Sequence, residues 1–313
     1  MLTQVTTIAE LRARLDAHRA AGRSIGFVPT MGYLHAGHAS LMAAAREADD
    51  VVITSIFVNP LQFGPQEDLD AYPRDLAADA SLSERCGADL LFVPDAEEMY
   101  PGGSVRTTVS VAGVSAPLEG RARPTHFDGV ATVVAKLFSI VGPCRAYFGE
   151  KDFQQLAVVR RMVLDLSIPV DVVACATVRE ADGLAMSSRN AYLRAAERAA
   201  APVLHRALQA GAALIGAGER EPAAVRAAIA AVVAEEPLAE LDYAEVVDPA
   251  TLEVPDVLAG TLRLLIAVRL GKARLIDNLA AEAPPVGIGP PPRGSMEDDM
   301  GVTAPAASTE GST

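Results

Sequence analysis

Two histidines three residues apart, His35 and His38, stand in the stretch PTMGYLHAGHASL at residues 29–41. The apolar run at 25–28 reads as a strand, and a helix is expected to begin near Gly37 or His38. Imidazoles at such a junction can donate hydrogen bonds to phosphate oxygens, because the N–H groups of a helix start favour anions. Gly37 would let a nucleotide approach the backbone closely. Two plainer readings use the same residues. An H-x-x-H pair can bind zinc, although no third ligand of suitable spacing follows. Either histidine can also cap the helix.

Three further stretches carry groups of similar use. In SIFVNPLQFGPQEDLDAYPRD, residues 55–75, Asn59 and Gln62 fall at a strand end. Neutral amides there suit recognition of hydroxyls and carbonyls rather than proton transfer. An ordinary Asn-Pro turn explains Asn59 equally well. In AYFGEKDFQQL, residues 146–156, Gly149 turns the chain and Lys151-Asp152 opens a helix. The lysine would stand at the positive helix end, a natural phosphate contact. Asp152 can accept from ribose hydroxyls or cap the helix, and Gln155 lies one turn on, on the same face. The alternative is a solvated Lys-Asp helix start. In TVREADGLAMSSRNAYL, residues 177–193, Ser187, Ser188 and Arg189 offer two hydroxyls and a fixed cation. They can clamp a polyphosphate, or they can form a polar linker with a Ser-rich cap. Finally, LEGRARPTHFDGV at 118–130 carries Arg121, Arg123 and His126, as a basic lip or as an exposed loop.

The elements that must position these groups alternate along the chain. SIGFVP, DVVITSIFVN, ADLLFVPD, RAYFGE and VDVVACAT are short and often continuously apolar, as strands buried on both faces are. Helical patterns cover 39–48, 76–86, 130–141 and 153–166. The alternation predicts a doubly wound α/β domain, in which ligands bind beyond the carboxyl ends of the strands. The four chemical stretches fall at such junctions or at the boundary that follows. The first 22 residues read as an amphipathic helix and lack the apolar core of a signal peptide.

After about residue 177 the texture changes. Residues 195–235 are Ala-rich and helical in period, broken near GAGEREP, and DYAEVVD, LRLLIAVRL and ARLIDN read as three strands. A smaller α+β domain is expected over 178–283, after an α/β domain over 1–177. From about residue 284 to 313 the chain is rich in Pro, Gly and Ser, and a disordered tail is expected.

Composition narrows the partners. The chain has 313 residues, 50% of them hydrophobic, and 27 Lys+Arg against 40 Asp+Glu give a net charge of −13. That sign argues against nucleic acid and anionic membranes as partners. A small anion is still compatible with it, since a few local cations can dominate a cleft. No run approaches the roughly 20 apolar residues of a membrane helix. Three scattered cysteines, Cys86, Cys144 and Cys175, form no C-x-x-C and fit a reducing cytoplasm. No G-x-G-x-x-G follows the first strand and no G-x-x-x-x-G-K-[ST] occurs, against a dinucleotide dehydrogenase and a P-loop NTPase.

Taken together, PTMGYLHAGH, IFVNPLQF, DLDAYPRD, RPTHFDGV, YFGEKDFQQL and VREADGLAMSSRN resemble, in order, the signature blocks of the pantoate–β-alanine ligase family. They span most of residues 24–193, and DYAEVVD and LLIAVRLGKARLIDN are similar to its C-terminal domain. H-A-G-H is similar to the HIGH motif of nucleotidylyl transferases, and MSSRN stands where that superfamily carries its mobile KMSKS loop. The resemblance implies an N-terminal Rossmann-like, doubly wound parallel sheet with a smaller C-terminal α+β domain. It implies that pantoate carboxylate attacks the α-phosphorus of ATP, with Mg²⁺ on the phosphates, and that β-alanine then takes the pantoyl group. It places ATP against Met31, Gly32, Tyr33, Leu34, His35, Ala36, Gly37 and His38, against Gly149, Glu150, Lys151 and Asp152, and against Val178, Met186, Ser187, Ser188 and Arg189. His38, His35, Lys151 and Arg189 are the implied catalytic set, with His38 the proton donor. Gln62 and Gln155 would hold pantoate, Gln62 would also touch β-alanine, and Asn59 would line the same pocket, with Tyr72 and Arg123 near it. The residues that hold the metal are not implied. A cytoplasmic homodimer is expected. Another HIGH-motif nucleotidyltransferase and a non-catalytic nucleotide-binding regulator are the alternatives.

Overall fold

The computed structural model describes residues 1–64, 69–103 and 105–284. The expected tail, 284–313, lies outside the described residues except for Pro284. The chain runs β1 (Thr3–Val5), α1 (Ile8–Ala20), β2 (Ile25–Thr30), α2 (Ala36–Ala48), β3 (Val51–Ile56), α3 (Leu76–Arg85), β4 (Leu90–Phe92), α4 (Ala96–Met99), α5 (Glu119–Ala122), α6 (His126–Val141), β5 (Cys144–Gly149), α7 (Phe153–Asp165) and β6 (Val170–Cys175). It continues with α8 (Ala195–Ala200), α9 (Val203–Gly216), α10 (Pro222–Ala234), β7 (Ala239–Val247), β8 (Gly260–Leu270) and β9 (Ala273–Ala283).

The apolar runs form strands because both of their faces are covered. Phe27, Ile53 and Phe148 point to the core shared with α1, α6 and α7. Their neighbours Val28, Val52 and Tyr147 point to the core under α2. That is the period-two alternation of a strand with helices on each side. The sheet order is β1-β4-β3-β2-β5-β6, all parallel. From β2 the chain moves outward to β3 and β4, and from β5 it moves the other way to β6. The strand order therefore reverses between β2 and β5, the switch point at which open α/β sheets open a crevice.

The second sheet, β7-β8-β9, is antiparallel. Leu264, Ile266 and Val268 of β8 pack with α9 and α10. Leu265 turns the other way, into the core of the parallel sheet. The small sheet is thus covered by its own helices on one side and by the parallel-sheet half on the other.

One element differs from expectation. Residues 3–5, read as part of an amphipathic helix, form an edge strand that pairs with β4. The helix itself occupies Ile8–Ala20. Three residues are too few to display a period, so pairing with Leu90–Phe92 decides their conformation.

Candidate active site

The first wall of the site is the turn after β2. Gly32 and Tyr33 both have positive φ, at 84° and 52°. The turn is held by Asp79 of α3, whose Oδ2 accepts from the Tyr33 N–H at 2.8 Å and whose Oδ1 accepts from the Leu34 N–H at 2.7 Å. Burial pushes the Asp79 carboxyl up, against the two N–H bonds that favour its charged form.

Helix α2 then starts at Ala36 with His35 as its cap. His35 Nδ1 accepts from the Gly37 N–H at 3.1 Å, and His38 Nδ1 accepts from the His35 N–H at 3.3 Å. The two imidazoles thus form a reciprocal capping box. With both Nδ1 atoms accepting, each neutral ring carries its proton on Nε2. Burial, with Lys151 nearby, lowers the His35 pKa to about 4. Burial, with His35 beside it, lowers that of His38 to about 3. Near neutral pH the site therefore presents two uncharged Nε2–H donors, their rings 4.2 Å apart. A Cβ on Gly37 would come within 2.9 Å of the His35 ring. The glycine's first task is thus to admit that imidazole.

The second wall follows β5. Residues Glu150–Asp152 make one 3-10 turn, and α7 begins at Phe153, so Lys151 sits just before the helix rather than in it. Lys151 Nζ lies 3.2 Å from Asp152 Oδ1. Burial raises the Asp152 pKa, but Lys151 and Arg189 outweigh it and hold the carboxyl below its ordinary value. The turn is braced from the small sheet. Asn278 Nδ2 donates to the carbonyls of Glu150 and Lys151 at 2.9 and 2.8 Å. Arg263 meets Glu150 at 3.0 Å and stacks 4.0 Å from the Phe153 ring. A Cβ on Gly149 would meet no described atom within 4 Å, so this strand end faces open space.

The third wall is a short hairpin. Arg179 bridges Ala185, and the Met186 N–H donates to Val178 O at 3.0 Å. Ser187 then caps a 3-10 turn over Ser188–Tyr192 by accepting from the Arg189 N–H. Tyr72 OH lies 3.2 Å from Ser188 Oγ.

The fourth wall is the amide pair. Asn59 caps the 3-10 turn Pro60–Gln62. Asn59 Nδ2 donates to Gln62 Oε1 at 3.2 Å and to Gly129 O at 3.1 Å, and Asn59 Oδ1 accepts from Tyr100 OH at 2.8 Å. Asn59 is thus satisfied within the protein and acts by aiming Gln62, whose Nε2 points at Met31 Sδ. Arg123 and His126 brace the same turn. His126 Nδ1 donates to Gln62 O at 3.0 Å, which leaves Nε2 to accept from Arg123 at 3.1 Å. Neither is a loose basic lip, while Arg121 is exposed.

These walls enclose a cavity of about 210 Å³ at the switch point. His35, Gly37, His38 and Met31 line it from the first turn, and Gly149, Lys151, Asp152 and Gln155 from the second. Val178, Met186, Ser187, Ser188 and Arg189 close it from the hairpin, with Asn59, Gln62 and Tyr72 at the remaining side. It opens into a larger cleft of about 1130 Å³ beneath β9, with Met31, Gln62, Lys151 and Arg189 at the shared border. Five expected residues do not line the inner cavity. Gly32, Tyr33 and Leu34 form the bonded turn behind it, Ala36 is exposed, and Glu150 is turned to Arg263.

Known proteins resemble this chain over most of its length. The family model described as Pantoate-beta-alanine ligase matches residues 3–280. The chain belongs to the pantoate-β-alanine ligase family. A pantothenate synthetase from Roseiflexus sp. (strain RS-1) is 56% identical over 279 residues, 89% of this chain and 99% of the relative. The crystal structure of a pantothenate synthetase from Thermus thermophilus superposes with a TM-score of 0.84 at 52% identity, covering 88% of this chain and 98% of that one. A pantoate-β-alanine ligase from Francisella tularensis, complexed with "beta-gamma ATP" and β-alanine, gives 0.74 at 32% identity, covering 89% and 97%. The reaction of this ligase family is the joining of pantoate to β-alanine.

Several residues that shape this cavity carry no local signal. Asp79 is one acidic residue in the Ala-rich run LAADASLSER. Tyr100 precedes a Pro-Gly turn, and Asn278 lies inside a strand. Gly129, in THFDGV, is a further case. A Cβ there would come within 2.3 Å of Leu61 O, so only glycine lets α6 approach the amide turn this closely.

Proposed function

We propose that the inner cavity binds ATP and pantoate and that the ligation runs through a pantoyl adenylate. A carboxylate oxygen of pantoate attacks the α-phosphorus, the bond to the β-phosphate bridging oxygen breaks, and pyrophosphate leaves. The amine of β-alanine then attacks the acyl carbon, the acyl–phosphate bond breaks, and AMP leaves with the bridging oxygen. The observation that carries this reading is the convergence of two neutral Nε2–H donors and one lysine on a single crevice between β2 and β5. Charge grows on the phosphoryl oxygens in the first step, and fixed donors stabilise it there. His38, His35, Lys151 and Arg189 are the donors proposed for that task, with Ser187 and Ser188 on the departing phosphates. A neutral His38 would act as a hydrogen-bond donor through Nε2, rather than as an imidazolium acid.

Gln62, aimed by Asn59, and Gln155 are proposed to read the hydroxyls and carboxylate of pantoate. A buried amide left unpaired would reject an analogue without the hydroxyl. The ATP and β-alanine bound by the Francisella relative support the same substrates here. Mg²⁺ is proposed to arrive on the ATP phosphates. Among the described residues no group of three or more His, Cys, Asp or Glu gathers to hold a cation alone. Asp152, kept ionised in the cavity wall, is the carboxylate that fits such a shared ion, since Mg²⁺ keeps waters and takes few protein ligands. Bound there, it would supply charge neutralisation to the phosphates.

The division at residues 177/178, with the second part closing over the adenylate, is part of this proposal, as are a homodimer and a cytoplasmic setting. Three unpaired cysteines suit a reducing compartment. The deciding assay supplies ATP, Mg²⁺, pantoate and β-alanine and measures AMP and pantothenate. Both are expected in equal amounts and only with pantoate present. ADP as product, or AMP formed indifferently to pantoate, would overturn the reading. Product formed without β-alanine would favour a nucleotidyltransferase.

A further inference from the structure

Two adjacent residues of β9, Asp277 and Asn278, touch two different walls of the site. Both are 4% exposed. They face opposite sides of the small sheet, opposite Ile266 and Leu265 of β8. Asn278 faces the parallel-sheet half, where its Nδ2 donates to the carbonyls of Glu150 and Lys151, one on each side of the Lys151 Cα. Asp277 grips Arg179 through two bonds of 2.6 and 2.9 Å. Arg179 in turn donates to Gly183 O and Asn278 O and pairs with Ala185 across the hairpin that leads into Ser187.

We propose that this dipeptide is a positioning device for the first half-reaction: Asn278 fixes the height of Lys151, Asp277 fixes the hairpin that carries Ser187–Arg189, and their adjacency in one rigid strand keeps the two in register. This rests on the reading that Lys151 and Arg189 act on the ATP phosphates. Asn278 itself supports a role beyond packing. Its Oδ1 is buried with no partner among the described residues, while both donors of its Nδ2 are spent on the lysine turn. A buried amide oxygen left unpaired is a cost that an apolar side chain of similar size would not carry. The Asp277–Arg179 pair is similarly committed, with side-chain exposures of 2% and 18%. Losing either partner strands a charge and releases the hairpin.

The test separates the two chemical steps. Pantoate-dependent exchange of pyrophosphate into ATP reports adenylate formation, and single-turnover attack of β-alanine on preformed pantoyl adenylate reports the second step. Asn278→Ala is expected to slow exchange by about tenfold or more and to leave aminolysis within about twofold, because a small displacement of a phosphate donor is costly to the step that uses it. In a Lys151→Ala background the same substitution should lose most of its effect, since the two act as a unit. Asp277→Asn should behave alike against Arg189→Ala. Asn278→Ser keeps a hydroxyl donor and a smaller volume change, and answers the question should the alanine variant fold poorly. Equal slowing of both steps, or full multiplication of the Asn278 and Lys151 effects, would reduce the dipeptide to a structural role. If Lys151→Ala alone left exchange unchanged, the assignment of Lys151 would fail instead.

Discussion

The turn after β2 and the turn after β5 face each other across one crevice, yet they are built on opposite plans. The first is neutral at its tip, with two imidazoles kept uncharged by burial, and it is held from within its own half of the chain. Asp79 pins its N–H groups and the histidines cap their own helix. The second carries a full charge at Lys151 and is held from the far end of the chain by Asn278 and Arg263. A neutral donor can be buried in advance of its ligand with little penalty. A cation is better mounted on a turn that stays open, as the space beside Gly149 is, with the backbone of that turn steadied by Asn278.

This contrast can be broken experimentally in four ways. Lys151→Ala removes the charge of the second turn and should reduce adenylate formation by about a thousandfold, read by pyrophosphate exchange. A loss of only a few fold would mean that the cation is not the dominant donor. His38→Ala removes one neutral donor and should give at least roughly a hundredfold loss in the same assay. A near-normal rate would take His38 out of the chemistry.

Asp79→Ala tests the local brace. It strands two N–H groups, which costs about 1–3 kcal/mol of stability, and the displaced turn should slow exchange about tenfold. Asp79→Asn keeps one acceptor and should fall between. An alanine variant as stable and as fast as the parent would show that the turn holds itself.

The smallest effect is a pH dependence of stability. The folded His35 and His38 titrate near 4 and 3, below the ordinary 6.5. On acidification from pH 6.5 the unfolded chain takes up protons that the folded rings refuse. Folding stability from this source is therefore complete above 6.5 and declines as pH falls. His38→Asn should show a shallower fall in Tm between pH 7 and 5 than the parent. Parallel curves would refute the neutral, buried histidine.

The same contrast explains what the sequence revealed. The strand ends and the helix starts were legible because long apolar runs and their breaks are local signals. His35, Lys151 and Ser187 were legible because each stands at such a break. Their supports were not. Asp79 acts 46 residues from Tyr33 and Asn278 acts 127 residues from Lys151. A carboxylate in an Ala-rich helix reads as surface, and the asparagine of ARLIDN reads as strand. Asn59 shows an intermediate case: the turn expectation holds, because it caps Pro60–Gln62, and the same side chain also bonds to Gln62. Residues 3–5 were lost to shortness alone.

The capping box has a last consequence for the choice between metal and phosphate. A zinc-bound imidazole needs a lone pair on the coordinating nitrogen and, on the other, an N–H that can donate to an oxygen. In His35 and His38 that other nitrogen, Nδ1, already faces a backbone N–H. Moving the proton there to free Nε2 for a metal would set donor against donor and uncap α2. The helix start thus doubles as a tautomer lock, and it keeps a H-x-x-H pair in a metal-containing cell from becoming a chelate.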